Sequence, residues 1–108
     1  MARIAIDFDG TIHDPFNRKP NYKMGQPVLA APNALQKLKQ DGHQIIIFPT
    51  WADRQDRRKA IVDWLEYFEV PFDDITSVKP EADLYIDNNA YRFENWRDTV
   101  DFINQLKT

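Results

Sequence analysis

Short apolar runs alternate along this chain with segments of helical periodicity. The runs at residues 3–8 and 44–50 have consecutive apolar side chains, which is typical of strands buried on both faces of a sheet. One later segment, residues 53–68, places four apolar side chains on one helical face: Ile61, Trp64, Leu65 and Phe68. Strands that alternate with helices predict an α/β domain whose parallel sheet is covered by helices.

The remaining elements have weaker signals. We predict strands at Ile75–Lys79 and Ala82–Asp87, and a first helix that begins at Pro32 and ends at Gly42. A last helix is predicted from Asn95, its N-cap, to Leu106. Four of its side chains are expected to face inward: Trp96, Val100, Ile103 and Leu106.

Residues 12–31 are predicted to form a long polar loop. Loops of this length inside a compact domain are often functional. This one carries aromatic and basic side chains, so it is either anchored by its aromatic residues or acts as a small lid: Phe16, Arg18, Lys19, Tyr22 and Lys23.

The bulk composition limits the classes of protein that fit. A length of 108 residues predicts a single domain spanning 1–108, and a net charge of −3 argues against a general polyanion binder. The absence of cysteine excludes disulfides and thiolate metal sites. Neither a signal peptide nor a membrane-spanning stretch is evident, so we expect a cytoplasmic protein without a membrane partner.

Polar side chains stand where each predicted strand ends. They are Asp7 and Asp9, Thr50, Lys79, and Asp87 followed by Asn88. Because ligands of parallel sheets bind at the carboxyl ends of the strands, these groups are expected to gather at one edge. Clustered carboxylates repel each other unless a cation joins them, and an all-oxygen set favours Mg²⁺ over zinc. The sequence therefore predicts a magnesium site.

A magnesium ion beside a lysine and a hydroxyl indicates a phosphorylated substrate. Phosphoryl transfer needs positioning and neutralisation of charge. One carboxylate can act as the nucleophile and form an aspartyl-phosphate, while a second serves as general acid and base.

The motif DFDGT at residues 7–11, followed in order by Thr50, Lys79 and Asp87, resembles the haloacid dehalogenase superfamily of phosphohydrolases. The stretch KPEADLYIDN, residues 79–88, is similar to short members from bacteria and phages that lack a cap domain. The resemblance implies a single Rossmann-like, three-layer α/β/α domain with sheet order 3-2-1-4. Residues 12–31 are too few for a folded cap, so an open site is expected.

The resemblance also implies roles for individual residues. Asp7 would be the nucleophile and Asp9 the general acid/base, while Thr50 would bind the phosphoryl oxygens and Lys79 would neutralise them and orient Asp7. Mg²⁺ would be held by four groups: the Asp7 carboxylate, the Asp9 carbonyl, Asp87 and Asn88. We expect Asp7 to be ionised and Asp9 to be partly protonated.

Further residues are candidates for binding the substrate. They are Gly10, Thr11, Trp51 and Arg54. Trp51 either packs at the rim of the site or stacks on a base or sugar of the substrate. Arg54 either belongs to a solvated helix face or contacts an anionic substrate. His13 and His43 are expected to be ordinary surface residues, although His13 lies near enough to the motif to contact a leaving group.

One position departs from the family pattern. Many relatives have two acidic residues where this chain has Asp87 and Asn88, and an amide oxygen can hold a metal-bound water without contributing charge. We therefore predict weaker Mg²⁺ affinity than a double-acid site would have.

Two other classes of function stay open. One is a non-catalytic phosphoryl-binding or interaction domain on the same fold. The other is a response-regulator receiver domain, although receivers place an acidic pair before the phosphorylated Asp and here the last acidic residue follows Lys79. The substrate could be a small molecule or an exposed phosphate of a macromolecule, with a nucleic-acid end less favoured. Three aromatic residues are candidates for an exposed dimer patch: Phe72, Tyr91 and Phe93.

Overall fold

Four parallel strands form the central sheet of the computed structural model, which describes residues 1–106. In chain order, the elements are β1 (Arg3–Ile6), β2 (His13–Asp14), β3 (Gln26–Pro27), α1 (Ala31–Gln40), β4 (Gln44–Ile47), α2 (Gln55–Tyr67), β5 (Asp74–Ile75), β6 (Leu84–Ile86) and α3 (Trp96–Gln105). The sheet has the order β5-β4-β1-β6, and all its neighbouring strands run parallel. The α/β class predicted from the alternating pattern is therefore confirmed.

The order β5-β4-β1-β6 differs from the expected 3-2-1-4, and the segment 12–31 contributes two short strands of its own. β2 and β3 pair with each other as an antiparallel ribbon, separate from the central sheet. Gly25, just before β3, permits this pairing, since a Cβ there would lie 1.8 Å from the carbonyl oxygen of Asp14. The predicted structureless loop is therefore partly ordered.

The hydrophobic core lies on one face of the sheet. Ile4 and Ile6 of β1 are in register with Ile45 and Ile47 of β4, so all four point to the same face. There they pack with buried side chains of the first two helices: Leu35 of α1, and Ile61, Trp64 and Leu65 of α2. Burial of these apolar groups is the main force that holds α1 and α2 against the sheet.

The opposite face is covered by side chains and an irregular segment. Phe48 meets the ring of Tyr85 edge-on, with 6.2 Å between the centroids, and the Tyr85 hydroxyl donates a 2.6 Å hydrogen bond to the Pro80 carbonyl oxygen. Ala5 and Ile46, which point to this face, are buried. The segment between β5 and β6 therefore takes the place of a helix here.

The prediction that α3 faces inward is wrong. Trp96 is 70% exposed, Val100 49% and Ile103 52%, and Leu106 is exposed as well. The predicted Asn95 cap does form, with its side-chain oxygen 2.8 Å from the Asp98 nitrogen. The helix therefore forms as its local sequence predicts, but it does not complete a third layer on this sheet.

The strand predicted at Ile75–Lys79 ends early, at Ile75. The Thr76 nitrogen still donates to the Ile47 carbonyl oxygen at 2.9 Å. The Val78 nitrogen then donates to the Thr76 hydroxyl at 3.1 Å, and this local bond turns the chain away from the sheet. Lys79 therefore does not stand directly at a strand end. Among the helices of residues 1–106, none has the length and apolar character that crossing a membrane requires.

Candidate active site

Asp7 and Asp87 follow directly after two paired strands. Ile6 of β1 is in register with Ile86 of β6, and the Asp7 nitrogen donates a 2.8 Å hydrogen bond to the Ile86 carbonyl oxygen. Asp7 is half-buried, whereas Asp87 is exposed. The fold thus brings together two carboxylates that are 80 residues apart in the sequence.

Burial raises the pKa of Asp7, and the neighbouring Asp87 carboxylate raises it further. A hydrogen bond from the Phe8 backbone lowers this pKa, and the Asp9 carboxylate adds a smaller increase. A cation between Asp7 and Asp87 would remove the repulsion that raises the pKa of Asp7.

A tight turn follows β1 and orients Asp9. The buried Phe8 carbonyl oxygen accepts hydrogen bonds from three successive nitrogens, those of Thr11, Ile12 and His13. Gly10 adopts a φ of +85°, a conformation that favours glycine. The glycine of DFDGT is therefore required by the turn itself.

Two side chains hold the carboxylate of Asp9. The Trp51 indole nitrogen donates to Oδ2 at 2.6 Å, and Nδ1 of His13 lies 2.7 Å from Oδ1. The other ring nitrogen of His13, Nε2, accepts a 2.8 Å hydrogen bond from the Gly25 nitrogen. Since Nε2 is an acceptor, the proton of a neutral ring is on Nδ1 and points at Asp9.

Burial acts to raise the pKa of Asp9, but the hydrogen bonds from His13 and Trp51 outweigh it and lower the pKa below its ordinary value. The lowered pKa does not favour the partly protonated Asp9 that we expected. The donors that stabilise a negative charge lie around Asp9, whereas carboxylates are the neighbouring charges of Asp7.

His13 is buried, at 4% exposure, and is not the surface residue that we expected. Its ring stacks on Phe8 with 5.0 Å between centroids and meets Trp64 edge-on at 5.3 Å. The Trp64 indole nitrogen in turn donates to the Gly25 carbonyl oxygen at 2.9 Å. Only the spacing of four residues between Asp9 and His13 hinted at this link, because Gly25 and Trp64 reach it through the fold.

The side chain of Asn88 lies against the DFDGT turn. A Cβ added at Gly10 would be 2.4 Å from its amide nitrogen, and the Thr11 hydroxyl is 3.5 Å from its amide oxygen, which is a weak contact. Asn88 and its neighbour Thr11 thus join the turn to the end of β6.

The other predicted site residues are less closely assembled. Thr50 is exposed in the turn that follows β4. The Lys79 ammonium lies 4.4 Å from the centroid of the Tyr85 ring. Arg54 pairs with Asp56 at 3.2 Å, as expected for a solvated helix face. Trp51 has a polar contact with Asp9 that neither expected alternative included.

The oxygen groups at this edge are too few to surround a metal ion completely, and they suit an ion such as Mg²⁺ that keeps several waters. Within residues 1–106, no three side chains of His, Cys, Asp or Glu are grouped so that they could hold a metal. Mg²⁺ commonly uses one or two carboxylates and keeps several waters. Asp7, Asp87 and the Asp9 carbonyl would be its ligands here, since the Asp9 carboxylate is already occupied by two donors.

A cavity of about 400 Å³ opens between the ribbon and α2. Trp64 and Gly25, which belong to the hydrogen-bonded chain leading to Asp9, form part of its wall. Lys19 and Lys23 line it from the ribbon side, and Tyr22 and Tyr67 contribute aromatic rings. The carboxylate of Asp63 also lines the cavity, so charges of both signs stand beside its aromatic and apolar side chains.

Comparisons with known proteins bear on the fold. No family model matches this chain, and no curated protein matches it either. The solved structure of a conserved protein from Bacteroides thetaiotaomicron is similar, with a TM-score of 0.66 and 23% sequence identity. The match covers 99% of this chain and 93% of that one. The same arrangement of elements therefore occurs in a second protein of nearly the same length.

Proposed function

We propose that this chain is a Mg²⁺-dependent phosphohydrolase that cleaves phosphomonoesters through an aspartyl-phosphate on Asp7. The observation that carries the proposal is the meeting of Asp7 and Asp87 at the ends of two hydrogen-bonded parallel strands. Two carboxylates at this edge of a parallel sheet offer the oxygen ligands that Mg²⁺ prefers.

The sheet also supports the family resemblance. Counted among the four central strands alone, the order β5-β4-β1-β6 becomes 3-2-1-4, which is the order that the resemblance to haloacid dehalogenases implies. The chain enters the sheet at β1 and extends it first to β4 and β5, then returns to β6 on the other side. Asp7 thus lies at the point where the strand order reverses, where ligands bind in open α/β sheets.

In the first step, an Asp7 carboxylate oxygen attacks the phosphorus atom. The bond from phosphorus to the ester oxygen breaks, and the leaving oxygen takes up a proton from the Asp9 carboxyl group. In the second step a water attacks the phosphorus of the aspartyl-phosphate, the bond to Asp7 breaks, and inorganic phosphate is released. Bound Mg²⁺ would neutralise the charge that Asp7, Asp87 and the phosphoryl oxygens share.

The ionised form of Asp9, which its lowered pKa favours, suits the second step. As an ionised carboxylate it can accept a proton from the attacking water. To donate a proton in the first step, it must first gain one, although both oxygens now accept hydrogen bonds. Each carboxylate oxygen has a second acceptor position beside its hydrogen bond, and this position can take up the proton.

Thr50 and Lys79 bind the phosphoryl group in this proposal. Thr50 is exposed and free to offer its hydroxyl to an incoming ligand. The Lys79 ammonium rests on the face of Tyr85, a weak interaction that a phosphoryl group can replace. Tyr85 belongs to β6, the strand that Asp87 follows, so the lysine is held near the same edge.

The test is release of phosphate from an aryl phosphate, measured with Mg²⁺ and with a chelator. Asp7→Asn should lower the Mg²⁺-dependent rate about a thousandfold or more, since it removes the nucleophile. Asp101→Asn, on the exposed polar side of α3, is the matched control and should keep the wild-type rate.

The alternative of a phosphoryl-binding domain predicts a different result. In that case wild type would bind Mg²⁺ or phosphate but release none from any ester in a substrate screen. Turnover that persists in the chelator, or in Asp7→Asn, would contradict the proposed mechanism.

A further inference from the structure

An apolar groove runs along the edge of the sheet beside α1. Its floor is formed by Ile6 and Ile86, and its wall by Leu35 and Leu38 of α1. Leu84 and Ile86 are in register with Ile4 and Ile6, so they point to the face on which α1 and α2 pack. Both side chains are substantially exposed, because no helix within residues 1–106 covers this part of the face.

The same chain has an amphipathic helix, α3, whose apolar side chains are largely exposed. Trp96, Val100 and Ile103 follow one another at spacings of four and three residues and form an apolar stripe on α3. Polar side chains occupy the opposite side of the helix: Arg97, Asp98, Asp101 and Asn104. The groove beside α1 and the stripe on α3 are both apolar and exposed, so the two surfaces are chemically complementary.

The segment before α3 packs against the helix itself. Tyr91 packs on Phe102 with 4.7 Å between ring centroids, and Phe93 packs on Trp96 at 5.2 Å. The Thr99 hydroxyl also donates to the Asn95 carbonyl oxygen at 2.7 Å. This segment is therefore folded onto α3, and the pair projects as a unit.

The size of the molecule agrees with a projecting helix. Its radius of gyration is 15.4 Å. A compact domain of this length has a radius of gyration of about 13 Å. The excess is what a helix held off the core would add.

We propose that two copies of this chain form a symmetric dimer in which α3 of each copy docks in the groove of the other. Such an exchange is self-complementary and closes on itself, so it gives a dimer rather than a filament. It would bury the apolar stripe and the groove twice, on the order of 1,200 Å² in total, which is near the lower bound for stable interfaces. Tyr91 and Phe93, expected from the sequence to be exposed, belong to the unit that docks.

The first measurement is the mass of the full chain by light scattering over a range of concentrations. The chain has a mass of 12.8 kDa, and twice this value is expected at high concentration. Ile103→Asp places a charge in the stripe and should give a monomer with an unchanged circular dichroism spectrum. A monomeric wild type at every concentration up to the solubility limit would overturn the proposal.

A disulfide test identifies the contact itself, since the chain has no cysteine of its own. Ala34 lines the groove and is exposed, so the double variant Ala34→Cys with Ile103→Cys should form a covalent dimer on mild oxidation. The control, Ala34→Cys with Asn104→Cys, carries its second thiol on the polar side of α3 and should not cross-link. A cross-linked monomer would mean that α3 docks in its own groove, and this outcome, like an absence of cross-linking, would overturn the proposal.

Discussion

At the scale of single residues, the two carboxylates of DFDGT have opposite environments. The charges that act most strongly on Asp7 are those of other carboxylates, first of all Asp87. The Asp9 carboxylate instead accepts hydrogen bonds from Trp51 and His13. They are two residues apart in the sequence, so spacing alone could not assign their charges. Trp51 lies in the turn before α2, and Asp87 follows β6. Only the fold brings these two partners to Asp9 and Asp7.

The raised pKa of Asp7 has a consequence for stability. An acid whose pKa is higher in the folded state than its ordinary value of 3.8 is less stable when ionised in the folded protein than in the unfolded chain. This cost is absent well below pH 3.8 and fully present above the raised pKa. At neutral pH without metal, Asp7→Asn should therefore raise the melting temperature by a few degrees at most.

Thermal unfolding in the presence of a chelator, at pH 7 and again near pH 3, measures this effect. The gain should be present at pH 7 and shrink at the lower pH, while Asp101→Asn should change little at either. A lower melting temperature for Asp7→Asn at pH 7 would contradict the proposed electrostatic cost.

At the scale of elements, local signals were good guides and long-range packing was not. Pro32 and Gly42 for α1, the apolar periodicity of α2 and the Asn95 cap of α3 predicted helices close to those found. The inward face of α3 was mispredicted because an amphipathic stripe shows that a helix needs a partner and not where that partner is. The predicted β5 was too long. The hydrogen bond to the Thr76 hydroxyl turns the chain away after Ile75, and hydrophobic periodicity gives no signal of this bond.

The imidazole of His13 joins Gly25, at the start of the β2–β3 ribbon's second strand, to the Asp9 carboxylate. His13→Ala would leave the Gly25 nitrogen without its acceptor, which we expect to cost about 1–3 kcal/mol of unfolding free energy. Urea unfolding measures the loss, and hydrogen exchange at the Gly25 amide should become faster.

His43→Ala provides the comparison for this variant. His43 also accepts a backbone hydrogen bond, from the Ala2 nitrogen at 3.1 Å, but it is half-buried and far from the ribbon. It should leave exchange at Gly25 unchanged. Equal effects of the two variants on that amide would show that His13 does not anchor the ribbon.

At the scale of the whole molecule, the sheet and two helices form a core to which α3 adds little. Docking between two copies would make the stability of the fold depend on protein concentration, because association favours the folded form by mass action. The melting temperature of wild type should therefore rise with concentration, and that of Ile103→Asp should not. A wild-type melting temperature that stays constant over a hundredfold range would contradict this.

The position of α3 after the last strand also affects how the protein is made. Every side chain in the buried core cluster comes from residues 4–75, and β6 completes the sheet at Ile86. A newly made chain can therefore complete its own core without any contact from α3. Folding of the core and pairing of α3 with a second molecule can then be separate, successive events.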